Sequence, residues 1–323
     1  MAFSLAFLAL LIERLVGYPQ WLVDRLGHPV IWIGALISRL EKRLNDLQLP
    51  FATRKRNGIF AFVILLIAAV LPALLLESVL AWLPLGLIVT ALLSSSLLAQ
   101  KSLEEHVRAV ADALETGGLD QGRKAVSMIV GRDPDQLDEA AVCRAAIESL
   151  AENFSDGVTA PAFWLGVGGL AGCSAYKATN TADSMIGHLN ARYSAYGWAA
   201  ARFDDLINLP ASRLTAMLFI AAAALLPDAS AKAAWAAVRR DARHHKSPNA
   251  GWPEAAMAGA LGLALAGPRV YGGVLVEDHV MGEGGRRDAT SIDIRHALSV
   301  ARIADLLLII LFGLIAVALT VQG

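Results

Sequence analysis

Apolar residues in this chain are clumped into long runs, and polar residues are gathered into the connections between them. Gly58–Leu76 carries no charge, and neither does Ser78–Gln100, interrupted only by Pro84 and Gly86. Leu306–Gly323 is a third such run. Each is close to the roughly 18–20 residues that an apolar helix needs to cross a bilayer core. Met1–Ile12 is apolar and then meets Glu13 and Arg14. It lacks the preceding positive charge and following cleavage site of a secretion signal, so it reads as an uncleaved first helix of marginal length. Gly157–Tyr176 is uncharged but rich in Gly and holds Pro161, while Leu214–Pro227 and Ala255–Pro268 are short for a span. These three could be buried, re-entrant or surface-lying. The pattern predicts an all-α integral membrane protein with about four or more transmembrane helices. No repeat or linker divides it, so residues 1–323 read as a single polytopic domain.

Composition agrees. Of 323 residues, 56% are hydrophobic and 18% charged, with a mean hydropathy of +0.51. A soluble domain would carry about a quarter charged residues. The net charge of −1 offers nothing to nucleic acid. Cys143 and Cys173 are too few for a metal cluster and read as buried free thiols. Arg39, Lys42, Arg43, Arg54, Lys55 and Arg56 crowd the first polar connection, and Arg239, Arg240, Arg243 and Lys246 crowd a later one. The positive-inside rule puts both in the cytoplasm. With the hairpin Gly58–Gln100 returning the chain to the same side, a cytoplasmic layer of polar helical loops is expected.

A transporter concentrates its rare polar groups inside its spans. Here they stand between the spans, in dense clusters that favour binding or catalysis at the membrane surface. In the first cluster, Gly131-Arg132-Asp133-Pro134-Asp135, Asp133 is a good N-cap and Pro134 suits the first helical position. A helix is expected to start there, with Arg132 beside anion-binding N–H groups. It should run to about Asn153 and carry Glu148 and Glu152 one turn apart, followed by Ser155 and Asp156. Such oxygens could hold Mg²⁺, or Arg144 could simply pair with Glu148.

The third cluster puts Lys177, Asn180 and Asp183 at helical spacing, with Ser184 following. The fourth holds Arg202, Asp204, Asp205 and Asn208, which read as cation ligands or as a helix-end salt-bridge network. The fifth, Ser247-Pro248-Asn249-Ala250-Gly251-Trp252-Pro253-Glu254, is a rigid loop ahead of a helix. Taken singly, each has an ordinary structural explanation. No phosphate-binding loop of the G-x-x-x-x-G-K-[ST] kind is present, and His244 and His245 read as surface residues.

Taken in order, the clusters resemble the CobD/CbiB family of cobalamin-biosynthesis amide synthases. The resemblance is carried by Val130-Gly131-Arg132-Asp133, by Glu148-Ser149-Leu150-Ala151-Glu152-Asn153-Phe154-Ser155-Asp156-Gly157, and by Tyr176-Lys177 with Asn180-Thr181-Ala182-Asp183-Ser184-Met185-Ile186-Gly187. Ala201-Arg202-Phe203-Asp204-Asp205 with Asn208 and Pro210, and the loop from Ser247 to Glu254, complete it. One departure stands out. The family's Gly-Asp-Pro turn reads Gly17-Tyr18-Pro19, although His28-Pro29-Val30 and Gly34 are kept.

The resemblance implies ATP-dependent joining of adenosylcobyric acid to (R)-1-aminopropan-2-ol or its O-phosphate, at the inner membrane with catalytic loops cytoplasmic. It implies ATP and Mg²⁺ as cofactors, and a corrinoid, the aminopropanol and the lipid bilayer as partners, with self-association left open. Catalysis is assigned on this basis to Glu152, Asp156, Lys177 and Asp183. Substrate binding is assigned to Arg132, Asn153, Asn180, Ser184, Arg202, Asn208 and Asn249, and metal to Asp204 and Asp205. The competing expectations are a membrane transporter and a non-catalytic sensory relative. The first needs intramembrane polar groups, and the second should have lost several clusters.

Overall fold

The computed structural model describes residues 2–19, 21, 24–25, 27–130, 135–267, 269–271, 274–276 and 279–322. It is a helical protein in which, among the described residues, four helices are long and apolar enough to cross a membrane. These are Phe51–Leu80, Gly86–Val126, Glu139–Ile186 and Ser291–Gln322. A fifth arises if Trp198–Ile207 and Leu209–Ala223, bent by 45°, are taken as one broken span. The expected number of spans therefore holds, but the membership shifts. The first helix, α1 (Ala2–Val16), has only 15 residues. The expected run from Ser78 to Gln100 is interrupted by a turn between Leu80 and Gly86, where Pro84 removes a backbone donor. In its place, the Gly-rich stretch after Asp156 is helical as far as Ile186, with a break at Gly168–Gly169.

By contact the chain falls into two units. One comprises Met1–Ala99, Ala160–Asn208 and Leu311–Gly323, and the other Gln100–Thr159 and Leu209–Ile310.

The first unit holds α1, α2 (Pro29–Leu44), α3 (Phe51–Leu80), α4 (Gly86–Ser95), α7 (Ala160–Ile186) and α8 (Trp198–Ile207). Helix α2 begins where His28 caps it, its Nδ1 accepting from the Val30 N–H at 3.2 Å, with Pro29 in the first turn. Helix α3 leaves Phe60, Ile67, Leu75 and Val79 more than half exposed, as a lipid-facing surface does. Its other side joins Ile37, Ala178, Ala182, Ile186, Tyr196 and Ala200 in a core through Ala61, Phe62 and Leu65.

Small residues make that packing tight, as between membrane helices generally. A Cβ on Gly58 would stand 1.9 Å from the Tyr196 carbonyl oxygen, and one on Gly197 would stand 1.6 Å from that of Ile186. Helix α7 breaks at Gly168–Gly169, where Gly169 takes φ +61°. The N–H of Leu170, freed by the break, donates to Glu77 Oε2 at 3.1 Å. Glu77, an acid within a long apolar helix, thus caps the second half of α7. The loop after α7 is tied down by Glu41, which accepts two bonds from Arg192 at 2.9 and 3.1 Å.

The second unit holds α5 (Gln100–Val126), α6 (Glu139–Phe154), a π-helical turn (Ser155–Thr159), α9 (Leu209–Ala223), α10 (Ala231–Asp241), α11 (Gly251–Leu261) and most of α12 (Ser291–Gln322). Four short strands, β1 (Leu265–Ala266), β2 (Arg269–Tyr271), β3 (Val274–Val276) and β4 (Val280–Met281), form two antiparallel pairs, β1 with β4 and β2 with β3. Helix α6 starts at Glu139, with Asp138 accepting from the Ala141 N–H at 2.7 Å. That is later than the start expected at Asp133–Pro134, which lies outside the described residues. Helices α5 and α12 run antiparallel along a ladder of polar pairs. Gln100 meets Asp305 at 2.6 Å, Arg302 meets Glu104 at 2.8 Å, and Arg295 meets both Asp112 and Glu115.

The close approach at Gly58 gives a direct test. Gly58→Ala must displace the Tyr196 backbone and should lower the unfolding temperature in detergent by several degrees, with loss of folded yield. Gly168→Ala meets no atom within 4 Å and should stay within about a degree of the parent protein in the same thermal-unfolding assay.

Candidate functional site

In the first unit the end of α7 and the whole of α8 bring two of the five clusters together. Tyr176, fully buried, donates its hydroxyl to Asn208 Oδ1 at 3.0 Å. Asn208 then donates from Nδ2 to Asp204 Oδ2 at 2.8 Å. All three side chains are buried, and both bonds lie within good hydrogen-bond range. Oδ1 of Asp204 is buried and receives no hydrogen bond of normal geometry. Asn180 is beside that carboxylate, and the charge of Asp183 acts on it more strongly than that of Asp205. Asp183 is half-buried, and its place depends on Gly187, where a Cβ would stand 1.9 Å from Asp183 Oδ1. Asp205 pairs with the exposed Arg202 at 3.6 Å. Ser184 is exposed and donates to the Asn180 carbonyl at 2.9 Å.

His28 belongs to this group too, although the residue pattern alone gives it no role. Burial, aided by the charge of Lys177, holds its pKa below the ordinary imidazole value. Its Nδ1 accepts a backbone hydrogen bond, so the neutral ring carries its proton on Nε2. The ring of Tyr18 meets it edge-on at 4.8 Å, and Tyr18 donates to the Gly27 carbonyl at 3.0 Å. The retained His-Pro-Val segment is the sequence signal for this residue.

In the second unit α6 carries Glu148, Glu152 and Asn153 into the π-helical turn that contains Asp156. Such turns insert one residue into the helical register and recur at functional positions. Glu152 and Asn153 are exposed and Asp156 is half-buried. Asn153 donates to the carbonyl and hydroxyl oxygens of Ser149 at 2.8 and 3.1 Å, and Ser149 donates to the Ile129 carbonyl. Glu148 accepts from the N–H of Ala266 at 2.8 Å. Ala266 has φ +55°, strained for a residue with a Cβ, so Glu148 pins an unfavourable backbone. Arg144 donates to the Arg287 carbonyl rather than pairing with Glu148. Asn249 is buried and accepts at Oδ1 from Ser212 at 3.1 Å and Arg213 at 3.0 Å. His245 is mostly buried, with Glu254 3.8 Å away, whereas His244 lies on the surface as expected. Arg132 lies outside the described residues.

Two arrangements bear on a metal ion. Asp204 has a buried Oδ1 with Asn180 beside it, and the charges of Asp183 and Asp205 act on it. Carboxylate oxygens are what a hard cation such as Mg²⁺ prefers. Asp241, His279 and Glu283 also have ligand atoms within 4.8 Å of one another. Asp241, however, already accepts from Arg240 at 2.6 and 2.8 Å and from the N–H groups of Gly282 and Glu283 at 2.8 and 3.1 Å. Four donors already face this carboxylate, three of them on Oδ2, and it serves to clamp the segment after β4. Cys143 and Cys173 are buried free thiols, as composition suggested.

Fold and polar clusters together define a polytopic all-α membrane protein with acids, amides and cations gathered in clusters along the chain. The chain belongs to the CobD/CbiB family, whose model, described as "CobD/Cbib protein", matches residues 6–301. It is 55% identical over 295 residues to a cobalamin biosynthesis protein CobD of Sinorhizobium sp, covering 91% of each chain. A protein of the same name from Brucella suis biovar 1 is 54% identical over 293 residues, covering 90% of each. Another from Rhodobacter capsulatus is 45% identical over 322 residues, covering 99% of each. No solved structure matches the chain.

The Asp241 clamp makes a prediction about pH. Burial alone would raise its carboxyl pKa, but Arg240 and the N–H groups of Glu283 and Gly282 outweigh it and hold the pKa below the usual carboxylate range. The folded value is thus lower than the unfolded one. The stabilisation is complete above the unfolded pKa of about 3.9 and is lost as pH falls through the folded value. Asp241→Asn should cost about 1–3 kcal/mol near neutral pH. Thermal unfolding followed from pH 7 to pH 3 should show the parent protein losing that advantage over the variant.

Proposed function

We propose that this protein acts in cobalamin biosynthesis as an ATP-dependent amide synthase. It would join a propionate carboxylate of adenosylcobyric acid to (R)-1-aminopropan-2-ol or its O-phosphate, giving adenosylcobinamide or its phosphate. The observation that carries this reading is the family match across residues 6–301, with the five polar clusters in the family's order. The proposed location is the inner membrane, with the Lys- and Arg-rich connections on the cytoplasmic side.

A carboxylate resists attack by an amine at neutral pH and must first lose its negative charge. In the proposed sequence a carboxylate oxygen attacks the γ-phosphorus of ATP, forming an acyl phosphate and releasing ADP. The amine nitrogen then attacks the acyl carbon, the C–O bond to phosphate breaks, and inorganic phosphate leaves as the amine gives up a proton. Three demands follow: cations against phosphate and carboxylate charge, a base for the amine, and groups that fix the substrates.

Lys177 on α7 and Arg202 on α8 are cations suited to the first demand, with Arg132 a third candidate. Asp183, Asp156 and Glu152 are the candidates for accepting the amine proton. His28, neutral at physiological pH, is a further base in the same unit as Asp183. Asn180 and Ser184 in one unit, and Asn153 and Asn249 in the other, offer the donors and acceptors that orient amide-forming substrates, while Asn208, its amide engaged by Tyr176 and Asp204, serves by positioning Asp204. Asp204, with Asp183 and Asp205, would hold Mg²⁺, which supplies neutralisation of phosphate charge when bound. The Tyr176–Asn208 chain holds Asp204 in one orientation, which a charge-stabilising group requires.

The test is amide formation by detergent-purified protein given adenosylcobyric acid, each amine, ATP and Mg²⁺. Product should form and should vanish when ATP is left out. Alanine at Asp156, Asp183 or Asp205 should lower kcat by about 10²-fold or more, with thermal unfolding unchanged. Full activity in all three folded variants would refute the assignment.

A further inference from the structure

Among the described residues, the guanidinium of Arg213 is held in place without any carboxylate. Its NH1 donates to the Leu209 carbonyl at 3.2 Å, to Ser212 Oγ at 2.9 Å and to Asn249 Oδ1 at 3.0 Å. Its plane lies 4.5 Å from the centre of the Trp252 ring. These contacts fix an otherwise flexible side chain against an aromatic face and use one of its three nitrogens. The other charge acting on it is a second cation, Arg243. Glu254, the acid of the same loop, is turned to His245.

Two guanidinium groups that repel each other, one of them immobilised and half-buried, are costly unless something negative comes between them. Trp252 and Asn249 also sit at the start of α11, whose leading N–H groups add to the positive potential there. A guanidinium fork with free N–H groups is shaped for a tetrahedral oxyanion, which it can grip through two parallel bonds.

We propose that Arg213 and Arg243, set against Trp252 and Asn249, form a binding site for the phosphoryl group of a soluble phosphate compound. The site deepens the proposed amide synthase by giving one phosphorylated substrate a place in the second unit, and the identity of that compound rests on that reading. Binding of a phosphoryl group does not rest on it. Family resemblance marks Asn249 as a substrate contact and leaves both arginines without a role. The physical link is that Asn249 contacts Arg213, and so sets the angle of the group that would meet the anion.

The test uses inorganic phosphate as the probe, with line broadening of its phosphorus resonance as the readout, on full-length protein in phosphatidylcholine nanodiscs. The parent protein should bind saturably. Arg243→Gln replaces an exposed side chain and carries little folding risk. It should weaken phosphate binding about tenfold, the scale of one charge-assisted hydrogen bond. Arg213→Gln should weaken it at least as much, and Arg213→Lys should recover only part of the loss, because an ammonium lacks the fork.

Phosphate binding by Arg243→Gln and Arg213→Gln equal to that of the parent would overturn the proposal. So would displacement of phosphate when a third of the phosphatidylcholine is replaced by phosphatidylglycerol, since the natural occupant would then be a lipid headgroup. Because the readout is binding, it stays positive if the protein makes no amide, and it can fail while amide formation persists.

Discussion

A carboxylate placed among apolar helices must be bound to something, and the first unit is organised around that requirement at Asp204. Tyr176 on α7 and Asn208 at the end of α8 form a two-bond chain that ends on one oxygen of this acid. The bonds can form only where α7 and α8 approach closely. Gly197 meets that need at the start of α8, and Gly58 meets it on α3, where even a methyl group would collide with backbone. Packing and chemistry are thereby coupled. The Ala178, Ala182 and Ile186 face of α7 joins the core, while Lys177, Asn180 and Asp183 fall on the remaining surface at a three-residue helical spacing.

Much of this was legible in the chain. Long uncharged runs gave the membrane character, because no soluble fold needs them, and the five clusters gave the family, because their order is specific. The exact spans were less legible. A run such as Ser78–Gln100 is apolar enough to cross, and composition does not reveal that Pro84 and Gly86 close a turn within it. Conversely, the stretch from Glu139 to Ile186 contains acids and a Pro and is still long and apolar enough to cross, with a π-helical turn at Ser155–Thr159 and a break at Gly168–Gly169.

The roles of isolated charges were hidden for a different reason, because each depends on a distant partner. Glu77 falls between the uncharged runs Gly58–Leu76 and Ser78–Gln100. It caps a helix broken at Gly168–Gly169, more than ninety positions away, a contact with no local signature. Glu148 could be a metal ligand or a surface partner for Arg144 by spacing alone. In the fold one of its oxygens secures the strained Ala266 backbone. His28 was visible within a retained segment, but its neutrality follows from burial and from Lys177, which only the fold brings near.

If the polar clusters serve a phosphoryl-activated carboxylate, an oxygen atom must pass from that carboxylate to phosphate. Oxygen-18 placed in the reacting carboxylate of adenosylcobyric acid tests this most directly, with phosphorus products analysed by mass spectrometry after one turnover. Acyl phosphate formation predicts one labelled oxygen in inorganic phosphate for each amide formed, with ADP unlabelled. Label in AMP, or in no phosphorus product despite amide formation, would contradict it.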